Sequence, residues 1–203
     1  QNFEQYVREV KTRYGDLAEE YLKQYPADNL HDAVFNAYRD SAFGWQMQSW
    51  AKMTEKVSSN AYLYYFSHTP PGASRDWPIP TENLSETTRT IGALHAGEIT
   101  YVFNNLKLYS NVLPSEMPDF PCGEVKKEDR NLAEAMSDYW VAFAKTGEPK
   151  VKGLSGWEPY TEQSKQYMAF NQGVRPGTDL LPGAWELEEK IHQRRLQLKM
   201  FWN

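Results

Sequence analysis

One histidine in the sequence stands where a catalytic base could act. His95 lies between small residues in the stretch 92–97, after a segment rich in Ser and Thr and just before the apolar run Ile99–Phe103. Small neighbours leave room for a ligand to approach the imidazole, and a loop position lets the ring project from its scaffold. A lone histidine is more often a turn residue that only forms hydrogen bonds. Its sequence surroundings must therefore decide between the two interpretations.

Four segments on either side of this histidine carry a family resemblance. They are YLYYF at 62–66, GALHAGEITYVF at 92–103, YWVAFAKTGEP at 139–149 and WEPY at 157–160. In this order and at these spacings they resemble the C-terminal part of the type-B carboxylesterase/cholinesterase family of α/β-hydrolases. The resemblance covers almost the whole chain from about Asp40 to Phe170.

The resemblance implies a fold and a role for two residues. It implies an α/β chain that forms the last sheet strands and flanking helices of an α/β-hydrolase, with residues 1–203 as the C-terminal portion of a single catalytic domain. His95 matches the histidine of the family's serine, acid and histidine triad, which takes and returns the serine proton. Glu98 matches a buried carboxylate that supports the site and is not the triad acid.

The other triad members are missing from the sequence. It contains no Gly-x-Ser-x-Gly motif, and the nearest stretch, Gly153–Trp157, fails at its last position and follows the histidine instead of preceding it. By the resemblance, the acid falls near or before Gln1. We therefore expect a two-chain esterase in which an N-terminal portion carries the serine, the acid and the oxyanion hole and completes the sheet. This chain alone should be inactive.

Four residues are candidates for the substrate pocket. Phe43 ends the run DSAF, which resembles a segment that shapes the acyl pocket, although a plain core aromatic is equally consistent. Leu94 and Ala96 flank His95. Trp77 lies near the centre of a proline-rich loop, where it either lines the site entrance or anchors the loop. No cofactor is expected, and no metal, because His95 and Glu98 lack the second histidine of a zinc motif.

Two further residues are interpreted without a catalytic role. His68 lies two residues after the YLYYF strand and is taken as a strand-end residue. Cys122 is the one cysteine of the chain, so it forms no intrachain disulfide and is either a buried thiol or paired with another chain. The resemblance favours a secreted or periplasmic protein, whereas the single cysteine and the lack of a leader support neither compartment.

Composition limits the class of protein. A chain of 203 residues with 40% hydrophobic and 14% aromatic content is long enough for one domain with a core. The net charge of −5 comes without a basic stripe, so we expect no nucleic-acid partner. No run of about 18 apolar residues is present, which predicts no transmembrane segment.

Hydrophobic periodicity predicts the elements that position these residues. A first helix should break near Gly15. A second helix, capped by Asp28 or Asn29, should run to about Val57 with a bend at Gly44 and its apolar stripes in the core. The remaining predictions are an inner parallel strand, a helix that ends at Gly147, a short last strand and a terminal helix; their ranges are 62–66, 129–147, 167–170 and 184–200.

Three functions stay open on this basis. The first is hydrolysis of a small-molecule carboxylic ester, the second a non-catalytic cholinesterase-like binding or adhesion module, and the third a small helical binding domain with an accidental resemblance. The retained His95 favours the first, because a binding module needs no base. The missing serine favours the second.

Overall fold

A computed structural model of the chain describes residues 2–71, 93, 95–111 and 123–198. The chain divides into two compact units. The helical unit comprises Gln1–Ala61, Thr161–Gln163 and Asp179–Asn203, and the sheet unit comprises Tyr62–Tyr160 and Ser164–Thr178. Each unit is therefore assembled from segments that lie far apart in sequence.

The helical unit begins with a broken helix, as predicted. Helix α1 (Phe3–Tyr14) is followed by a 3-10 turn (Gly15–Leu17) and helix α2 (Ala18–Gln24), and Gly15 supplies the positive φ of 57° at the break. Together with the last helix, residues Ala184–Gln197, they enclose the core of this unit. Its buried residues are Tyr6, Val10, Ala18, Tyr21, Tyr25, Ala33, Ala37, Leu187 and Ile191.

The predicted second helix is one long helix with a π-helical turn inside it. It consists of α3 (Leu30–Arg39), the π turn (Asp40–Gly44) and α4 (Trp45–Lys56). The Asn29 side chain caps α3 by accepting the amide of Asp32 at 3.2 Å. A Cβ atom at Gly44 would lie 2.6 Å from the indole nitrogen of Trp185, so only glycine fits at this close approach.

The apolar stripe of this long helix is exposed, so the prediction that it forms core was wrong. The π turn adds one residue, which brings Phe43 onto the same face as Tyr38, with the two rings edge to face at 6.1 Å. Trp50, further along the stripe, is 66% exposed. The exposed stripe, as we call it below, consists of Val34, Phe35, Tyr38, Phe43, Met47, Trp50, Met53 and Val57.

The sheet unit contains three strands among the described residues. Strand β1 (Tyr64–Phe66) pairs in parallel with β2 (Gln166–Phe170), which pairs antiparallel with β3 (Val174–Thr178). β1 and β2 confirm two predicted strands, although β1 is shorter than predicted and β3 was not predicted. In the part of the chain that the structure describes, β1 has only β2 as a neighbour and forms an edge.

Three helices cover this sheet unit. They are α5 (Glu98–Val102), α6 (Lys107–Asn111) and α7 (Lys127–Thr146), and the left-handed Gly147 ends α7 where the sequence predicted its end. Helix α7 packs its apolar face on the sheet. The buried core residues are Tyr101, Leu106, Tyr109, Leu132, Ala133, Met136, Tyr139, Trp157, Met168 and Phe170.

Two carboxyl groups are buried together in the helical unit. Asp40, in the π turn, accepts Arg39 Nε at 2.6 Å and the Tyr25 hydroxyl at 3.1 Å. Glu188, in the terminal helix α8 (Ala184–Gln197), is also buried. Burial raises the pKa of Glu188 from 4.5 to about 7; Arg195 opposes this rise and the charge of Asp40 adds to it.

The raised pKa of Glu188 predicts that stability falls with pH. Between pH 4.5 and about 7 the folded chain holds a proton that the unfolded chain has released, so the free energy of unfolding decreases as pH rises through this window. The loss at pH 8 should approach about 3 kcal/mol. Glu188→Gln should abolish it, whereas the exposed control Glu19→Gln should leave it. Urea unfolding at pH 5 and pH 8 measures the difference; equal pH dependence of both variants would contradict the prediction.

Candidate active site

His95 lies in a tight turn that leads directly into α5. The turn includes Ala96, whose φ of 61° is unusual for a residue with a side chain, and the Ala96 carbonyl accepts the amide of Ile99 at 3.2 Å. His95 and Ala96 are both exposed. The turn therefore presents the imidazole at the surface of the sheet unit, at a point that is fixed to the helix behind it.

Hydrogen bonds tie the start of α5 to the surrounding side chains. Thr100 Oγ1 donates to the carbonyl of Gly97 at 3.0 Å and also contacts the Tyr109 hydroxyl at 3.0 Å. Glu98 is half-buried in the first turn of the helix and accepts the Tyr64 hydroxyl at 3.5 Å, near the limit for such a bond. Burial, together with Glu98, raises the pKa of Tyr64 to about 12, so this tyrosine stays a proton donor.

A buried polar cluster lies at the other end of α5. Asp129 Oδ1 accepts His68 Nε2 at 2.7 Å and the Tyr101 hydroxyl at 3.3 Å, while Oδ2 accepts the amide of Lys126 at 2.7 Å. The rings of His68 and Tyr101 also meet edge to face, with centroids 5.3 Å apart. The Asp129 network, as we call these four residues, connects the end of β1, helix α5 and the start of α7.

His68 is not oriented like the base of a serine triad. Its side chain is 8% exposed, and its Nε2 donates to an acceptor-only carboxylate, so that nitrogen carries the proton and has no lone pair to offer. In a serine triad the acid instead holds Nδ1 and leaves Nε2 to face the nucleophile. The geometry agrees with the interpretation of His68 as a non-catalytic residue.

The predicted pocket residues are described only in part. Ala96 flanks the histidine in its turn. Phe43 lies in the helical unit at an exposed position of this chain. Leu94, Trp77 and Cys122 lie outside the described residues.

Sequence reasoning missed the acidic member of the buried cluster. Asp129 was assigned only to the start of a helix, 61 residues from His68, and no short-range pattern links the two. The available signal was a histidine two residues after an apolar strand, where a buried ring nitrogen needs a partner. Within the described ranges, no group of three or more His, Cys, Asp or Glu side chains could hold a metal ion.

None of the helices that the structure describes is long and apolar enough to span a bilayer.

The chain is similar in sequence to several known proteins. The chain is 28% identical over 149 residues to carboxylesterase 3B of Mus musculus, covering 73% of this chain and 23% of that protein. It is 32% identical over 118 residues to bile salt-activated lipase of Homo sapiens, covering 57% of this chain and 12% of the lipase. The chain thus spans about a quarter or less of the length of these relatives.

Solved structures share the fold. A thermophilic PNB esterase superposes with a TM-score of 0.62 at 20% identity, over 91% of this chain and 33% of that protein. The carboxylesterase EST55 of Geobacillus stearothermophilus gives the same TM-score and identity, over 91% and 35% respectively. These esterases are α/β-hydrolases, so the predicted fold class is confirmed: the three-stranded sheet and its helices form part of an α/β-hydrolase fold.

The family model agrees with the fold. The model described as "Carboxylesterase family" matches residues 1–197, which is nearly the whole chain. The predicted family is thereby confirmed: the chain belongs to the carboxylesterase family.

Proposed function

We propose that this chain supplies the triad histidine of a carboxylic-ester hydrolase, and that the serine, the acid and the oxyanion hole lie on an N-terminal portion outside this sequence. The observation that carries the proposal is the exposed position of His95, in a turn fixed to α5, within a chain of the carboxylesterase family. Residues 1–203 are then the C-terminal portion of one catalytic domain, and the substrate is a small-molecule carboxylic ester.

His95 acts in both halves of the proposed reaction. It takes the serine proton as the serine oxygen attacks the ester carbonyl, and it returns that proton to the departing alcohol, which leaves an acyl-enzyme. It then takes a proton from water as the water attacks the acyl group and gives it back to the serine, releasing the acid. Glu98 supports the turn from one helical turn away, through its contact with Tyr64.

Two features of the chain support a partner portion. In the described part, β1 forms a sheet edge whose other side has no strand, and a parallel inner strand requires neighbours on both sides. The exposed stripe of α3 and α4 places large apolar side chains in water, and such contiguous patches mark interaction surfaces. We propose that the N-terminal portion of the same esterase covers this stripe, since the relatives are several times longer than the chain.

We also propose four residues for the substrate pocket. Leu94 and Ala96 are proposed because they flank His95 in the sequence, Phe43 because its segment resembles one that shapes the acyl pocket, and Trp77 because it lies in the proline-rich loop. Small residues beside the base leave room for the tetrahedral intermediate.

Replacing His95 tests the proposed role. The protein is purified with any copurifying chain retained and is incubated with a fluorophosphonate probe, which reacts only with an activated serine. His95→Ala should lower the labelling rate and ester hydrolysis by about a thousandfold or more, because the serine loses its base. His192→Ala removes a different imidazole, in the helical unit, and should leave both rates unchanged.

The same experiment separates the alternatives. A second chain that takes the probe, together with loss of labelling in His95→Ala, supports the split esterase. If the wild-type protein takes no probe and hydrolyses no ester, the proposal fails and the non-catalytic binding or adhesion module replaces it. Activity in this chain by itself would also contradict the proposal.

Replacing Trp50 tests the partner surface. Trp50→Glu should weaken association with the N-terminal portion by about tenfold to a hundredfold, because it places a charge within a desolvated aromatic contact. The melting temperature of the isolated chain should stay the same, since Trp50 is exposed. Lys56→Gln lowers the charge of the same helix by one unit at an exposed site off the stripe and serves as the control. If titration shows that Trp50→Glu and Lys56→Gln bind the N-terminal portion with equal affinity, the exposed stripe is not the interface.

A further inference from the structure

The Asp129 network is a buried polar cluster that the proposed chemistry does not use. His68 and Asp129 are 6% and 4% exposed, and Tyr101 is completely buried. Every polar atom placed there loses its hydration, so the cluster is tolerated only because each donor meets the carboxylate. An apolar packing of similar volume would fill this space at lower cost. The directional hydrogen bonds therefore indicate a role for this cluster beyond filling the core.

We infer that His68 and Asp129 are positioning residues that act through Tyr101 to fix α5, and with it the turn that presents His95. This inference rests on the proposed function, because it assumes that His95 is the base. Neither residue touches the substrate. Their role is to hold the base at the distance and orientation that proton transfer requires.

A short path of contacts connects the network to His95. The Tyr101 hydroxyl is held by Asp129, and Tyr101 belongs to the five-residue helix α5. The amide of Ile99 and the hydroxyl of Thr100 then hold the carbonyls of Ala96 and Gly97, which directly follow the histidine. Because α5 is too short to be stable alone, its position depends on such tertiary contacts.

The position of His68 makes this anchor rigid. His68 follows β1, whose residue Phe66 pairs with Phe170 in the sheet, and the amide of Ser67 donates to the Phe170 carbonyl at 2.9 Å. Asp129 is equally fixed, since it accepts the amide of Lys126 at the start of α7. Tyr101 is thus held by the end of β1 and by the start of α7. The centroid of its ring lies 5.3 Å from the ring centroids of both Phe66 and His68.

Matched substitutions separate the effect of losing a hydrogen bond to Asp129 from the effect of changing side-chain volume. His68→Gln keeps an amide donor toward Asp129, whereas His68→Leu fills similar space without a donor. Tyr101→Phe removes the hydroxyl that Asp129 holds. Tyr139→Phe is its control, because Tyr139 is equally buried in the same unit and donates to the Ser155 carbonyl at 2.7 Å, outside α5.

The first measurement is kcat per active site in the assembled enzyme. Fluorophosphonate titration counts the competent sites, and steady-state hydrolysis then gives kcat and KM for each. His68→Leu and Tyr101→Phe should lower kcat per titrated site by about tenfold to a hundredfold with little change in KM, because orientation of the base matters in the transition state. His68→Gln and Tyr139→Phe should stay within about threefold of wild type.

The second measurement does not depend on activity. Hydrogen exchange of the amides of residues 99–103 reports whether α5 is held in place. Exchange there should be about tenfold faster in His68→Leu and Tyr101→Phe than in wild type, and nearly unchanged in His68→Gln and Tyr139→Phe.

Three results would count against the inference or its premise. Fewer titratable sites with unchanged kcat per site would mean that the network only stabilises the fold, and it would overturn the inference. Unchanged exchange of α5 in His68→Leu would overturn it as well, whatever the activity. A wild-type protein that takes no probe overturns the proposed function instead, and the exchange data then still decide whether the network anchors α5.

Discussion

The sheet unit depends on how the buried carboxylate of Asp129 is satisfied. A carboxylate inside a protein is tolerated only when donors surround it, and here the three donors come from the end of β1, from α5 and from the residue before α7. These segments are far apart in sequence, so the carboxylate is fully paired only when all three lie in place. The bonds thus favour one arrangement of strand and helices over other packings of the same apolar residues.

Two histidines of the sheet unit illustrate how environment assigns a role. His68 is buried, its Nε2 is committed to Asp129, and it is surrounded by aromatic rings. His95 lies at an exposed turn between small residues. The side chains are chemically identical, yet only one of the two is exposed. On this physical ground we propose that His95 transfers the proton and that His68 supports it.

Much of the local structure followed from sequence because short-range rules decide it. Gly15 and Gly147 mark helix ends through their backbone freedom, and the aromatic run around Tyr64 predicted a strand through its packing preference. These signals reside in a few neighbouring residues, so they are legible without a structure.

Other features depend on distant contacts and were missed. Strand β3 contains Pro176 and Gly177, which disfavour strands, and it forms because it pairs with β2, where the ring of Tyr167 covers Gly177. The exposed stripe shows the opposite error, since periodicity reports that a helix has an apolar face without saying what covers it. The bond between His68 and Asp129 joins residues 61 positions apart, and no short-range pattern links them.

The open sheet edge and the exposed stripe are independent physical reasons for the proposed partner. In the part of the chain that the structure describes, β1 has β2 as its one neighbouring strand, and large apolar side chains such as Phe35 and Trp50 are exposed. If the serine lies on that partner, the distance between nucleophile and base is set by the association itself. Catalysis then depends on two structural features. The Asp129 network holds α5 within this chain, and the interface brings the serine to His95. Because the network already fixes the orientation of His95 within this chain, the interface has to set only the relative placement of the serine and the histidine.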